Sequence, residues 1–318
     1  MHLRPATAGD LDALATFPLD PHLGGVTADR LQEELTAGRI RWPWSWLVTD
    51  DDGTVVGRAL WWGRPESTAP LTLDCLHLLD HLDDRAALAG DLLRRAHGSF
   101  TTHDPSTSTA RPPEYQLTLP PHWRTNPATV DAVSWRVQAA ADAGLSEQLE
   151  RLRYEWTPDD PAPQQSGRLR FRAGEEQEFL DLFERCAVDT LDVTTRRSLA
   201  VLNRAAQARD DYDFYLSCPG ERDWWRIATT SEGEPVGFVV PSATPYARNV
   251  GYLGVLPGHR GRGLVDDLLA EVTRIHAEAG AQRITATTDV TNAPMAAAFD
   301  RAGYRVTETR LMLEAPVT

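Results

Sequence analysis

Residues 258–263 read "GHRGRG", three glycines and two arginines set between an apolar run, "NVGYLGVLP" (249–257), and a helical pattern, "LVDDLLAEVTRIHAEAG" (264–280). Glycines at 258, 261 and 263 let the backbone approach a ligand closely and aim successive N–H groups at it. A helix starting at Leu264 adds partial positive charge, and Arg260 and Arg262 add full charges. The chemistry that follows is anion binding, and the spacing suits a diphosphate. A glycine-rich passage from strand to helix also serves as a turn alone. The motif is not G-x-x-x-x-G-K-[ST], because the chain contains no lysine, and it is not G-x-G-x-x-G. Asp266 and Asp267, at the third or fourth helical position, favour the positive helix end while facing away from the anion.

Groups for proton chemistry are sparser. Tyr252 sits in the apolar run, with core packing as its competing role, and Asp289 ends a strand in "ATTDVTN" (286–292), where a turn or cap role competes. Asp189, Asp192, Asp210, Asp211 and Asp213 read first as a solvated acidic face. His259 reads as a polar loop residue near the anion. Trp42, Trp44, Trp46, Trp61 and Trp62 either wall an aromatic pocket or pack within a sheet.

These groups need elements to hold them. "TPDDPAPQQSG" (157–167) has three prolines and no apolar face, which predicts an extended linker between domains at 1–156 and 168–318. Each half opens with a short strand and an amphipathic helix, "LRPATAGDLDAL" from Leu3 and "LRFRAGEEQEFL" from Leu169. A second helix, a hairpin, a strand and a leucine-rich helix follow in both, and each half closes with a helix, a glycine and a strand. Ala143, Gly144, Arg151, Leu152 and Glu155 match Ala302, Gly303, Arg310, Leu311 and Glu314 at one constant offset. The repeated order indicates duplication. In the second half Leu264, Leu268, Val272 and Ile275 form a buried helical stripe that Gly280 ends. The corresponding turn of the first half, within "LLDHLDDRAALAGDLL" (78–93), has no glycine and carries Asp80, Asp83 and Asp84, which repel phosphate. That half also holds a polar insertion, "SFTTHDPSTSTARPP" (99–113).

The second half resembles the GNAT superfamily of acyl-CoA-dependent N-acyltransferases. The family's signature is a strand, then [RQ]-x-x-G-x-[GA], then a helix whose N-terminal amides hold the coenzyme A pyrophosphate. Arg260-Gly261-Arg262-Gly263-Leu264 supplies it except for the final small residue, which is Val265. Downstream, "TDVTNAPMAAAFDRAGYRV" (288–306) is similar to N-x-x-A-x-x-x-Y-x-x-x-G-[FY], with Asn292, Gly303 and Tyr304 in place and Phe299 at the tyrosine position. The resemblance covers most of 168–318. The first half keeps only the element order, so it looks like a degenerate copy that completes the acceptor cleft or stabilises the fold.

The resemblance implies an α/β (α+β) fold of two tandem GNAT-like domains, each a mixed, mostly antiparallel sheet flanked by helices. Strand 249–255 is expected to splay from the strand before residue 290, with an acyl-pantetheine arm in the gap. The implied co-substrate is acetyl-CoA, without a metal, held by Leu253, Gly254, Val255, Gly258, His259, Arg260, Gly261, Arg262, Gly263, Leu264, Val265, Asn292 and Phe299. Two departures bear on mechanism. Phe299 has no proton for a leaving thiolate, and Asn249 and Gly251 stand where relatives often place a base. The catalytic groups therefore stay open, with Tyr252 and Asp289 as candidates.

Composition narrows the setting. The net charge of −14 without a basic stripe argues against nucleic acid and is compatible with a cationic small molecule. No stretch approaches the ~20 apolar residues that span a bilayer, and "MHLRPATAGD" lacks the pattern of a secretory leader. Cys75, Cys186 and Cys218 are scattered, which suits a reducing cytoplasm. Richness in Ala, Gly, Pro and Arg suits a GC-rich bacterial genome. The expected protein is a cytoplasmic N-acetyltransferase for a primary amine of a small molecule. The alternatives are a coenzyme-A-binding regulatory protein without turnover, and acylation of protein lysines or N-termini.

Overall fold

The computed structural model describes residues 1–101 and 111–316, so the centre of the expected insertion, 102–110, lies outside the described residues. Two compact units form, one of Met1–Glu150 with Glu308–Pro316 and one of Arg151–Thr307. In the first, β1 (His2–Pro5), α1 (Leu11–Thr16) and α2 (Ala28–Thr36) precede β2 (Ile40–Thr49), β3 (Val55–Trp62) and β4 (Thr72–Leu78). Then come α3 (Arg85–Thr101), β5 (Glu114–Leu119), α4 (Pro127–Asp142) and β6 (Glu147–Trp156), whose later residues belong to the second unit. The second unit contains β7 (Arg170–Arg172), α5 (Glu176–Cys186), α6 (Val193–Ser198), α7 (Arg204–Ser217), β8 (Arg226–Thr229) and β9 (Pro235–Ala243). It continues with β10 (Arg248–Val255), α8 (Leu264–Glu278), β11 (Ile284–Asp289), α9 (Ala293–Arg301) and β12 (Arg305–Glu314), whose later residues belong to the first unit.

Strand order is β1-β2-β3-β4-β5-β12 in the first unit and β6-β11-β10-β9-β8-β7 in the second. Parallel pairing occurs at β4–β5 and at β10–β11. The division differs from the expected 1–156 and 168–318. Thr309–Leu313 of β12 pair with β5, and Arg151–Trp156 of β6 pair with β11, so each unit takes its closing strand from the other half of the sequence. Backbone pairing partners decide this, and linker composition carries no information about them.

The alternation of apolar residues along β9 and β10 sorts the second unit into two cores. Val239 and Val250 face Leu268, Leu269 and Val272 of α8, while Phe238, Val240 and Tyr252 face Phe179 and Phe183 of α5 and Tyr212 of α7. The stripe expected on α8 is observed, with Leu268, Val272 and Ile275 buried and Leu264 packed at its edge. The expected linker is stitched down within the second unit: Asp160 accepts from Thr157 and Arg305, and Gln165 donates to Glu271 at 2.6 Å. In the first unit Trp44, Trp46 and Trp61 are core residues, and Trp42 and Trp62 pack against a second cluster, so the tryptophans serve packing.

Candidate active site

Where β10 meets β11, the pairing lasts for two residues only, Arg248 with Ile284 and Asn249 with Thr285. A bulge opposite β9 follows between Asn249 and Tyr252. Its sharp turn is Gly251 at φ 71°, braced by Asn249 Oδ1, which accepts from the Gly251 amide at 2.7 Å. Asn249 Nδ2 donates to Thr285 at 3.3 Å, and its carbonyl pairs with His276 Nε2 at 2.9 Å. Beyond the bulge β10 stays on β9 and leaves β11, which opens the sheet. The Leu256 amide bonds Val236 across β9, so by alternation Val255 and Leu253 turn their backbone groups toward the opening.

The glycine-rich turn closes one end of this gap. The amides of His259 and Arg260 are used in a tight turn, to Leu256 O and Pro257 O. The next five, from Gly261 to Val265, donate to no protein acceptor among the described residues. Gly263 at φ 69° begins α8. Its carbonyl and that of Arg262 are both held at 3.0 Å by Arg168. Because a trans peptide points its N–H opposite its C=O, the Gly263 and Leu264 amides face away from Arg168. Asp267, 2 % exposed, holds Arg168 in turn and accepts from the Ser166 amide and hydroxyl at 2.8 and 2.6 Å. Burial alone would raise its carboxyl, but Ser166 and Arg168 outweigh burial and keep it below the usual range. Asp266 pairs with Arg301 at 2.7 Å. The two aspartates are anchors behind the cradle as well as partners of the helix dipole.

Arg260 departs from its expected place at an anion. Its guanidinium donates to four carbonyls, Cys186 and Val188 at 2.8 Å, Val255 at 3.0 Å and Asp189 at 3.1 Å. It straps the end of α5 to the end of β10, and five planar donors spent this way leave little for a ligand. Arg260→Met is expected to destabilise the ligand-free protein by about 3 kcal/mol, since charged donors to buried carbonyls contribute roughly 1.5–3 kcal/mol each and do not add fully. Lysine is expected not to restore it. Denaturant unfolding checks this, and unchanged stability would point to a ligand-binding side chain instead. Arg262, exposed, has no side-chain partner among the described residues.

A cleft of about 1020 Å³ joins the cradle to the gap and continues toward α6 and α7. Leu253, Gly254, Val255, His259, Arg260, Gly261, Gly263, Leu264, Val265, Asn292 and Phe299 line it, whereas Gly258 and Arg262 do not. His259 pairs with Glu234 at 3.4 Å. Asn292 caps α9 through Met295 at 3.4 Å, so its side chain is engaged in the fold. Phe299, buried, stacks on Tyr154 at 4.6 Å and forms an apolar floor.

Of the two catalytic candidates, Asp289 is 2 % exposed with both oxygens engaged, by Arg151 Nε at 2.9 Å and the Val193 amide at 2.7 Å. Both oxygens are spent on the fold, and the residue positions α6. The Tyr252 ring packs among Phe183, Phe238 and Tyr215 at 5.0, 5.4 and 5.8 Å. Burial pushes its phenol well up, with Cys186 and Asp211 adding to it, so Tyr252 stays protonated and is no base. Asp189, Asp192, Asp210 and Asp211 do line the cleft, while Asp213 lies outward beside Arg209 at 3.5 Å.

Gln207, Arg151 and Arg168 escaped the sequence reading. Gln207 stands one helical turn before Asp211, a spacing that was legible, but Arg151 and Arg168 reach their partners only through the fold. The first unit offers a contrast. Asp84 caps α3 with its own carboxylate, accepting from Ala87 at 3.2 Å, and Asp80 pairs with Arg85 at 2.7 Å. A helix start filled by its own acid repels a second anion.

Residues 189–304 match the family model "Acetyltransferase (GNAT) family". No curated protein matches the chain. Among solved structures, a GCN5-related N-acetyltransferase from Sphaerobacter thermophilus is 16 % identical with TM-score 0.55, over 99 % of this chain and 96 % of that one. A conserved protein of unknown function from Staphylococcus epidermidis is 12 % identical at TM-score 0.50, over 85 % and 94 %. A tandem GNAT protein from the clavulanic acid biosynthesis pathway is 16 % identical at TM-score 0.48, over 100 % and 99 %. At these identities the likeness shows the fold: tandem GNAT-like domains, each a mixed, mostly antiparallel sheet with flanking helices.

Proposed function

We propose, from the premise that residues 189–304 form a domain of the GNAT acetyltransferase family, that this protein moves the acetyl group of acetyl-CoA to a primary amine of a small molecule. The observation that carries the reading is the run of five unengaged amides, Gly261 to Val265, at the end of a splayed strand pair and open to an acidic cleft. The fit to the coenzyme is supported by open space beside the turn, where a Cβ at Gly258 or Gly261 would meet nothing within 4 Å. The amides would hold the diphosphate, and the Leu253 and Val255 backbone would hold the pantetheine arm.

Acetyl-CoA supplies an activated acyl group, and this chain's contribution is chiefly positioning and charge. Phe299 gives no proton, which costs ~10²-fold. A thiol of pKa near ~8.5 leaves tolerably without help. Among the described residues no helix is long and apolar enough to cross a membrane. Reading the site as cytoplasmic belongs to the same proposal.

The engagement of Asp289 and the phenylalanine at 299 favour one competitor, a coenzyme-binding protein without turnover. Thiol release from acetyl-CoA across a panel of primary amines, with products identified by mass, separates the two. Acetylated product from any amine supports transfer. Acetyl-CoA binding with no product across a broad panel favours the competitor.

A further inference from the structure

The cleft's carboxylates are not equivalent. Asp289 is consumed by Arg151 and Val193, and Asp192 caps α6 by accepting from Thr195 at 2.7 Å. Asp211 has no cationic partner among the described residues, and its sole protein donor is Gln207 Nε2, at 2.9 Å on Oδ1. Gln207 is 5 % exposed, and its own Oε1 is buried with no donor at all. Because its nitrogen must face the ionised Asp211, the amide cannot turn to relieve that oxygen. A buried acceptor left unmatched costs about 1–3 kcal/mol. Gln207 thus holds Asp211 through Oδ1 and leaves Asp211 Oδ2, at the edge of the cleft, as the acceptor open to an incoming N–H donor.

Its surroundings describe what brings that donor. Tyr215 on α7 and Tyr252 on β10 lie near Asp211, with Asp192 and Asp210 nearby and Cys186, at the end of α5, beside Tyr252. The phenols and the thiol are pushed up by burial, Cys186 to about 12, so all three are neutral. Arg151, the cation in reach, is tied to Asp289 and Thr194. Toward solvent, Leu191 and Phe214 line the same cleft although each is about half exposed, at 47 % and 51 %. Tyr252 directly precedes Leu253, whose backbone faces the gap, so this corner lies beside the expected thioester.

Resting on the acyltransferase reading above, we propose that Asp211, held by Gln207, receives a protonated alkyl- or arylalkylamine whose apolar body lies on Leu191 and Phe214, and that it takes the proton that frees the amine nitrogen. The ammonium gives one proton to the Asp211 carboxylate. Its lone pair then attacks the thioester carbonyl carbon, the C–N bond forms and the C–S bond breaks. The departing thiolate takes the second N–H proton, and Asp211 returns its own to water, so one proton is released per turnover. Burial pushes the Asp211 carboxyl up to about 6, opposed by Gln207 and assisted by Asp192 and Asp210, which suits a base near neutral pH.

Asp211→Asn and Gln207→Leu test this, with Asp213→Asn as the control. For wild type, kcat/KM toward the best amine is expected to rise with pH through about 6. Asp211→Asn is expected to lose roughly 10²-fold in kcat/KM and the pH-6 limb, with acetyl-CoA affinity changed less than ~3-fold. Gln207→Leu is expected to raise KM for the amine more than it lowers kcat. A readout independent of turnover comes from unfolding of the ligand-free protein. A folded carboxyl that titrates above its unfolded value of about 4 loses stability as pH rises through about 6, so Asp211→Asn should melt no lower than wild type at pH 8. Retention of the pH-6 limb in Asp211→Asn, an equal loss of acetyl-CoA affinity, or a lower melting point at pH 8 overturns the assignment. Wild-type protein that binds acetyl-CoA but acetylates no amine overturns the acyltransferase reading first, and this inference with it.

Discussion

Gly263→Asp is expected to remove acetyl-CoA binding, with Kd rising by about three orders of magnitude. A carboxylate at this position stands where the first amides of α8 converge. One unit charge about 4 Å from a phosphate, at an effective dielectric near 20, opposes binding by about 4 kcal/mol. A left-handed residue other than glycine adds about 1–2 kcal/mol of strain at φ 69°. Gly263→Ala carries the strain without the charge, so it should bind measurably, and the difference between the two isolates electrostatics. Ala87→Asp places a like charge at the matching helix of the first unit and should leave affinity within about two-fold. Calorimetric titration with acetyl-CoA reads all three. Equal losses from Gly263→Asp and Ala87→Asp would falsify a single coenzyme site in the second unit.

The second large effect lies at Gly251, where even alanine is expected to cost about 3 kcal/mol or more. An added Cβ would stand 2.0 Å from the Val240 carbonyl oxygen and 2.9 Å from Ser242 Oγ, at a backbone φ of 71°. The nearer obstacle is main chain in the neighbouring strand, so no rotamer relieves it. For a unit of this size such a cost lowers the melting temperature by roughly 6–12 °C. The bulge also parts β10 from β11, so acetyl-CoA affinity should fall with it even at temperatures where the variant stays folded. Thermal unfolding together with coenzyme titration at 15 °C tests both halves. A variant that melts within about 2 °C of wild type and binds normally would show that the opening does not depend on this turn.

Legibility differed among the parts for identifiable reasons. The strand-to-helix turn before α8 could be read because glycine spacing, a helix start and an ended strand are local signals, each carried by adjacent residues. The stripe on α8 was legible for the same reason, as its period is that of the helix itself. Arg260 misled: a charged residue beside an anion turn reads as a ligand, yet four carbonyls from α5, its following loop and β10 claim its donors. Asp289 misled similarly, since Arg151 approaches from a strand far away in the chain. The closing strands were assigned to the wrong units, because hydrogen-bond partners of a strand leave no mark in its own composition.

By itself the sequence determined the kind of fold, the place of the glycine-rich turn before α8 and the phenylalanine at 299, all of which depend on residue types within a few positions. Only the tertiary structure decided which acid at the α6–α7 end of the cleft is half-buried against Gln207 while the others cap a helix, pair with an arginine or face solvent. Asp192, Asp210, Asp211 and Asp213 are alike as letters. They differ because burial, the nearest cation and the one available donor are set by packing between α5, α6, α7 and β10, and a carboxylate's proton affinity follows its surroundings rather than its name.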